Sequence, residues 1–310
     1  MINDIYYKSA DGLTTIHAKA FVPLTNITAI IQVSHGLGEV AELYTRFGNM
    51  MSANGIMVVV QETLGNGNSV IDSNHYGYFS DVNPEHILVE DMHSLVELIK
   101  KDYPQVPYFI LGFSMGSFIL RNYLFKYSNE INGAIIAGTT SYNNFLSHLF
   151  KLLINISTLA HGKAYASRTI NNIMVGRRHK KFSSTNKLAW LTKNPEYIEM
   201  FNKDPRLNIR YTNNADKAIV NLIIKQNSKK EIAKIDKNLP IFIISGADDP
   251  ISKNGKKLYR VQNQYRKAGI TDIKLKTYNK LRHAVICESD NNVVLNDILQ
   301  FVLSHQIKNK

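Results

Sequence analysis

The chain has 310 residues, of which 44% are hydrophobic and 20% are charged, and its formal net charge is +12. This balance is typical of a globular protein and excludes a disordered or fibrous chain. The only cysteine, Cys287, excludes an internal disulfide, and no uncharged apolar run approaches the roughly 18 residues of a membrane span. The first 13 residues lack the pattern of a secretory signal, so we expect a cytoplasmic protein.

Short apolar runs rich in β-branched or aromatic residues alternate with amphipathic runs along the chain. The runs that predict strands are 16–21, 29–34, 56–60, 108–111, 134–137 and 241–245, and the later ones are typical of buried parallel strands. Residues 273–278 alternate between apolar and polar side chains, which predicts a strand nearer an edge. The runs with helical spacing are 84–102, 114–127, 145–159, 255–268 and 291–305, and Asn83 is the expected N-cap of the first. The alternation predicts an α/β fold with a mainly parallel sheet covered by helices on both faces.

The net charge is concentrated in one internal segment. Residues 1–140 and 236–310 together carry 20 basic and 20 acidic side chains, whereas residues 141–235 carry 17 basic and 5 acidic ones. The densest cluster consists of Arg177, Arg178, Lys180 and Lys181. Residues 141–235 have helical patterns and no clear strand signal, so we expect a helical insertion between two halves of an α/β core, 1–140 and 236–310.

A sharp turn is predicted at Gly112–Phe113–Ser114–Met115–Gly116, between a strand and an apolar helix. A serine at such a turn needs small neighbours because the backbone is strained, and its hydroxyl is exposed at the start of a helix. Ser114 is therefore a candidate nucleophile. The alternative is a glycine-rich turn with a helix-capping serine.

A nucleophilic serine needs a base and a carboxylate that orients the base. Of the histidines that follow Ser114, only His283 comes after a predicted strand of the sheet. The carboxylate is Asp248 or Asp249, both at the end of the strand 241–245, and the alternative for either is an Asx-turn before Pro250.

An acyl-transfer site also needs donors for an oxyanion. One donor is the backbone amide after the nucleophile, that of Met115, and the second comes from the loop after an early strand. That loop reads Ser-His-Gly-Leu-Gly-Glu at 34–39, and Leu37 offers its amide.

The motifs VSHGLGE, GFSMGS, SGADDP and RHAVICE resemble those of the monoacylglycerol lipase and lysophospholipase branch of the α/β-hydrolase family. The resemblance covers nearly the whole chain and is weakest in 141–188. It implies the α/β-hydrolase fold, with 141–235 as a helical cap that carries an acyl-binding groove. It also implies that Asp249 rather than Asp248 belongs to the triad and that Glu288 matches an acidic residue of the family's histidine motif.

Two positions depart from that branch. Phe113 and Asn66 stand where its members usually have histidine, the second in a Gly-His-Gly turn. Neither is a triad position, so the departures concern the choice of substrate rather than the chemistry.

The sequence predicts a serine carboxylic-ester hydrolase that acts by two-step acyl transfer and requires no metal or cofactor. The preferred substrate is a lipid monoester, a monoacylglycerol or lysophospholipid. The alternatives are a carboxylesterase for short soluble esters and a non-catalytic ligand-binding protein on the same fold. The basic cluster is compatible with a peripheral contact with an anionic membrane, and the alternative is a solvated lysine-rich surface. Nucleic acid is not expected because no recognition motif accompanies the charge.

Overall fold

The computed structural model describes residues 1–175, 178–183, 185–207 and 209–307. Arg177 of the predicted basic cluster lies outside these residues. Within the described ranges, no helix has both the length and the apolar character needed to cross a bilayer.

One eight-stranded sheet forms the centre of the molecule, in the order β1-β2-β4-β3-β5-β6-β7-β8. The strands are β1 Ile2–Lys8, β2 Thr15–Phe21, β3 Ala29–Ser34, β4 Ile56–Gln61, β5 Tyr108–Phe113, β6 Gly133–Ala137, β7 Ile241–Gly246 and β8 Ile273–Tyr278. β2 runs antiparallel to β1 and β4, and all other neighbours are parallel. The five strands from β4 to β7 are buried along their whole length, which explains their continuous apolar sequences.

Helices cover both faces of this sheet. The α-helices of the described residues are α1 Thr45–Ala53, α2 Pro84–Asp102, α3 Met115–Tyr127, α4 Asn144–His161, α5 Arg168–Val175, α6 Pro195–Lys203, α7 Asn213–Lys225, α8 Lys229–Ile232, α9 Lys256–Lys267 and α10 Asn292–Ser304. α1 and α10 contribute to the apolar core on one face, and α2, α3 and α9 contribute to the core on the other. The mainly parallel sheet between two helical layers is the predicted architecture.

Residues 141–235 contain α4 to α8, and no strand occurs among those of them that the structure describes. Ile154 of α4, Ile170 of α5 and Val220 of α7 form a small apolar cluster of their own. α7 also packs against α2 and α3 of the core. The division into a core and a cap remains a prediction, and we call 141–235 the predicted cap.

Two details differ from the sequence prediction. β1 was not predicted, because its residues are mostly exposed and the segment has no continuous apolar run. Asn83 precedes α2 but adopts a left-handed backbone with φ 46° and ψ 50°, and its side chain makes no capping hydrogen bond. Pro84 instead begins the helix, since a proline at the first helical position lacks only an amide that would be unpaired there.

Candidate active site

Ser114 lies on a strained turn between β5 and α3. Its backbone has φ 51° and ψ −112°, a region that non-glycine residues rarely adopt. A Cβ on Gly116 would lie 2.0 Å from the carbonyl oxygen of Ser34, and one on Gly112 would lie 2.5 Å from that of Gly116. Only glycine fits at both positions, which explains their spacing around the serine. The Ser114 side chain makes no capping hydrogen bond to α3, so the alternative of a capping serine does not apply.

His283 contacts Ser114 from the loop after β8. Its Nε2 lies 2.9 Å from Ser114 Oγ, and its Nδ1 lies 3.0 Å from Oδ2 of Asp249. His283 and Asp249 are almost completely buried, whereas Ser114 is partly exposed. Within the described residues Nδ1 has no aligned hydrogen bond, so its contact with Asp249 is close but poorly directed. Such geometry is common in catalytic sites without bound substrate.

The two adjacent aspartates have different surroundings. Oδ1 of Asp249 accepts a hydrogen bond of 2.7 Å from the amide of Ile251, and Oδ2 accepts one of 3.0 Å from Ser245 Oγ. Asp249 thus forms the Asx-turn around Pro250 and also faces His283. Asp248 is half-buried, and in the described part of the chain its carboxylate has no hydrogen bond or ion pair.

The loop after β3 packs against the beginning of α3. The amide of Gly116 donates a 3.1 Å hydrogen bond to the carbonyl of His35. This contact brings Leu37 and Met115, the predicted oxyanion donors, to the same end of the sheet. Among the described residues, neither of these two amides is paired with an acceptor. Amide N–H groups that have no acceptor at the start of a helix stabilise a negative charge that forms next to them.

Tyr211 of the predicted cap supports this loop. Its hydroxyl accepts a 2.8 Å hydrogen bond from the amide of Gly38 and donates to Oδ1 of Asn66. Burial raises the pKa of Tyr211, so the hydroxyl stays protonated and can donate. Asn66, one of the two departures from the family pattern, therefore links the turn after β4 to the loop that carries Leu37. No sequence signal pointed to Tyr211, because the predicted cap has no fixed spacing to the loop.

Glu39 is the last residue of the oxyanion loop 34–39, and it is buried. Oε2 accepts hydrogen bonds from the amide of Gly36, at 2.7 Å, and from the hydroxyl of Tyr44, at 2.8 Å. Oε1 accepts one of 2.6 Å from the hydroxyl of Tyr197 in α6. These three donors tie the carboxylate to the protein, so Glu39 serves to fix the loop.

Three titratable side chains contact one another where β1, β2 and the residue after β4 meet: Asp4, His17 and Glu62. Both ring nitrogens of His17 face carboxylates, Nδ1 at 2.8 Å from Glu62 and Nε2 at 2.9 Å from Asp4. Burial lowers the pKa of His17, but the hydrogen bonds to Glu62 and Asp4 outweigh it and leave the pKa raised. Burial by itself raises the pKa of Glu62, but the hydrogen bonds from His17 and from the amide of Asn68 have the larger effect, so the pKa of Glu62 is lowered. In the described ranges, no group of three or more His, Cys, Asp or Glu is arranged to hold a metal ion.

Residues 25–290 match the family profile described as serine aminopeptidase, S33. The chain belongs to this family. It lies within the α/β-hydrolases, and the match includes every motif on which the resemblance was based.

Known proteins similar to this chain include lipases and esterases. A monoacylglycerol lipase of Mycolicibacterium smegmatis is 22% identical, over 92% of this chain and 91% of the relative. A monoglyceride lipase of Mus musculus is 24% identical, over 96% and 89%. The crystal structure of a thermostable carboxyl esterase from Bacillus coagulans in complex with glycerol superimposes with a TM-score of 0.89 and 24% identity, over 99% of both chains.

These comparisons confirm the predicted fold class and the predicted family. They also confirm that the chain is an ester hydrolase of the monoacylglycerol lipase-like class.

Proposed function

We propose that Ser114, His283 and Asp249 form the catalytic triad of this hydrolase and that its substrates are lipid monoesters. The observation that carries the triad is the 2.9 Å contact between Ser114 Oγ and His283 Nε2. It occurs on a strained turn with a buried carboxylate behind the imidazole. This is the arrangement of nucleophile, base and orienting group that acyl transfer requires.

The reaction proceeds through an acyl-enzyme. Ser114 Oγ attacks the ester carbonyl while its proton moves to His283 Nε2, and Asp249 stabilises the resulting imidazolium. The bond to the leaving alcohol then breaks, and His283 returns the proton to the alcohol oxygen. Water, activated by His283, attacks the acyl-enzyme and releases the acid and free Ser114.

The amides of Leu37 and Met115 hold the oxyanion of both tetrahedral intermediates. One such donor contributes on the order of 10²–10³ in rate, because it is in place before the charge develops. Their unpaired state in the described structure supports this role. The bonds from Gly38 to Tyr211 and from Gly36 to Glu39 keep the loop in position.

The acidic residue of the oxyanion loop does not favour the amino-terminal peptide of the family's description as the substrate. An aminopeptidase must bind the positive α-amino group of its substrate, which a free carboxylate beside the nucleophile would do. Glu39 is not free, because it is buried and already bonded to Gly36, Tyr44 and Tyr197.

A lipid monoester is favoured by the relatives named monoacylglycerol lipase and by the apolar surface of α4. Only Ser147 and Ile154 of α4 are buried. Its exposed apolar side chains are Phe145, Leu146, Leu149, Leu152, Leu153, Ile156 and Leu159. We propose that residues 141–235 form a cap over Ser114 and that this apolar helix accommodates or approaches acyl chains.

The same surface and the positive charge of the predicted cap support a peripheral contact with anionic lipid. Lys180 and Lys181 are exposed. Each clustered basic residue near an anionic surface contributes about 1 kcal/mol of attraction. Reversing the charge of Arg177, Arg178, Lys180 and Lys181 should weaken binding to vesicles that contain anionic lipid and leave turnover of a short soluble ester unchanged. Absence of binding by the parent protein would refute the membrane contact.

The triad is tested with Ser114→Ala. We expect turnover of p-nitrophenyl butyrate to fall by a factor on the order of 10⁴ or more, while circular dichroism stays that of the parent. A fluorophosphonate should label the parent and not the variant. Retained activity would contradict the assignment, and an unlabelled, inactive parent would favour a non-catalytic binding protein.

The substrate class is tested with p-nitrophenyl esters from acetate to palmitate and with a panel of monoacylglycerols and lysophospholipids. We expect the highest kcat/KM for long acyl chains. A maximum at two to four carbons would instead support a carboxylesterase for short soluble esters. The structurally similar Bacillus coagulans protein is named a carboxyl esterase.

A further inference from the structure

Residues 189–193 of the predicted cap run alongside the loop that carries His283. The amide of Ala284 donates a 2.7 Å hydrogen bond to the carbonyl of Leu191, and that of His283 donates one of 3.4 Å to the carbonyl of Trp190. Nη1 of Arg282 donates to the carbonyl of Ala189 at 2.5 Å. Three successive residues of the histidine loop are therefore bonded to one segment of the predicted cap.

The carboxylate of Glu288 joins the same two segments. Its Oε1 accepts a 3.0 Å hydrogen bond from the amide of Arg282. Its Oε2 accepts bonds from Thr192 Oγ1, at 2.6 Å, and from the amide of Lys193, at 2.7 Å. Glu288 is 1% exposed and Thr192 is fully buried. A buried carboxylate remains charged at little cost only when donors surround it, and here the donors come from both segments.

The ring of Trp190 stacks on the imidazole of His283. Their centroids are 5.1 Å apart and their planes are inclined by 27°. Phe113 contacts the same imidazole, with centroids 5.1 Å apart and planes inclined by 44°. Aromatic rings at such distances restrict the rotation of the imidazole by contact alone. Nδ1 lies 3.0 Å from Asp249 without an aligned hydrogen bond in the described structure, so the aromatic contacts also hold the ring.

We propose that Trp190 and Glu288 are positioning residues through which the predicted cap holds the imidazole of His283 in line with Ser114, a role that rests on the proposed function. The base is then complete only while residues 189–193 lie against the core. Trp190 acts on the orientation of the imidazole directly, and Glu288 acts through the loop, with Thr192 as its partner. Loss of either contact should lower kcat more than it changes KM, because a misplaced base weakens the transition state and leaves substrate binding intact.

The contact between Trp190 and His283 is tested without substrate. The chain has one tryptophan, so its emission reports Trp190 alone. We expect Ser114→Ala to keep the emission spectrum of the parent, and we expect His283→Ala to change its intensity and wavelength, because the imidazole no longer covers the indole ring. An emission spectrum of His283→Ala identical to that of the parent would overturn the contact, whatever the activity of the enzyme.

The kinetic role of Trp190 is tested by two substitutions. Trp190→Phe keeps an aromatic ring and should retain kcat within about threefold, whereas Trp190→Leu should lower kcat by about three- to tenfold, the range expected for an aromatic pair. Tyr165→Leu is the matched control, because the ring of Tyr165 also contacts a histidine ring, that of His161 in the predicted cap, with centroids 4.5 Å apart and planes inclined by 34°. Equal kcat in Trp190→Leu and Tyr165→Leu would overturn the proposal.

The link through Glu288 is tested at Thr192, where a conservative pair is available. Thr192→Ser keeps the hydroxyl and should keep kcat, whereas Thr192→Val removes the bond to the carboxylate and should lower kcat by about fivefold or more at unchanged KM. A fall in the unfolding temperature of Thr192→Val with no change in kcat would show a structural role only and would overturn the proposal. If the parent hydrolyses no ester, the proposed function fails, and the fluorescence result still decides the contact.

Discussion

Replacing Asp249 by asparagine perturbs the one group that faces Nδ1 of His283. An asparagine has a single oxygen, whereas Asp249 uses one oxygen for the amide of Ile251 and the other for Ser245 and His283. If the amide oxygen stays with Ile251, the NH₂ group points at Nδ1. The imidazole proton must then move to Nε2, the atom that has to accept the proton of Ser114.

The wrong tautomer is expected to reduce kcat by a factor on the order of 10⁴. At 1.36 kcal/mol for each tenfold, this equals about 5.4 kcal/mol of transition-state stabilisation. The loss of a buried hydrogen-bonded charge costs about 1–3 kcal/mol of folding free energy, which a domain of ordinary stability survives. Asp248→Asn is the matched control, because the described structure gives its half-buried carboxylate no partner. It should keep kcat within about threefold and stability within about 0.5 kcal/mol.

The assay is hydrolysis of p-nitrophenyl butyrate by both variants at pH 8, together with urea unfolding. Full activity of Asp249→Asn, or a larger loss in Asp248→Asn, would refute the assignment of the carboxylate. Loss of activity in a variant that is unfolded before urea is added would show that Asp249 is needed for the fold, and the tautomer argument would then fail.

Three further changes should have measurable effects. Gly116→Ala forces a Cβ to within 2.0 Å of the Ser34 carbonyl oxygen, so thermal unfolding should show a loss of about 1–3 kcal/mol and ester hydrolysis should fall with it. His17→Gln should destabilise most between pH 4.5 and 6.5. The raised pKa of His17 contributes stability that is fully present below pH 6.5 and is lost as the pH rises through the pKa of the folded state. The lowered pKa of Glu62 contributes stability that is present above pH 4.5 and is lost as the pH falls through the pKa of the folded state. Urea unfolding at pH 5.5 and at pH 9 measures the difference. Arg121→Met removes a fully buried guanidinium with four hydrogen-bond partners, and the urea midpoint should show a loss of about 1.5–3 kcal/mol.

The sequence was sufficient for the elements whose signals are local. Strands β2 to β8 were predicted within a few residues. β3 to β7 are continuous apolar runs, as buried parallel strands are, and β8 has the alternating pattern of a strand nearer an edge. Amphipathic spacing likewise predicted α2, α4, α9 and α10 with nearly the observed bounds. β1 was not predicted, because its residues are mostly exposed and it has no continuous apolar run.

The order of the motifs in the chain was also sufficient to propose Ser114, His283 and the pair Asp248 and Asp249, since a parallel sheet brings the ends of its strands to one edge. The position after the strand left both aspartates open, and within the sequence only the family resemblance favoured Asp249. The packing of the turn buries Asp249 against Ser245 and His283 and leaves Asp248 half-exposed. A shift of one residue along the chain changes the direction of a side chain completely, and only the fold fixes that direction.

The tertiary structure alone decided which residues of the predicted cap reach the core. Trp190 and Thr192 approach His283 and Glu288 from about 95 residues away in sequence, and Tyr211 reaches Gly38 across 173 residues. Contacts of this range have no periodicity in the chain, because they depend on how one surface docks on another. The sequence therefore determined the sheet and the order of its chemical groups, and the docking of the predicted cap determined how those groups are held.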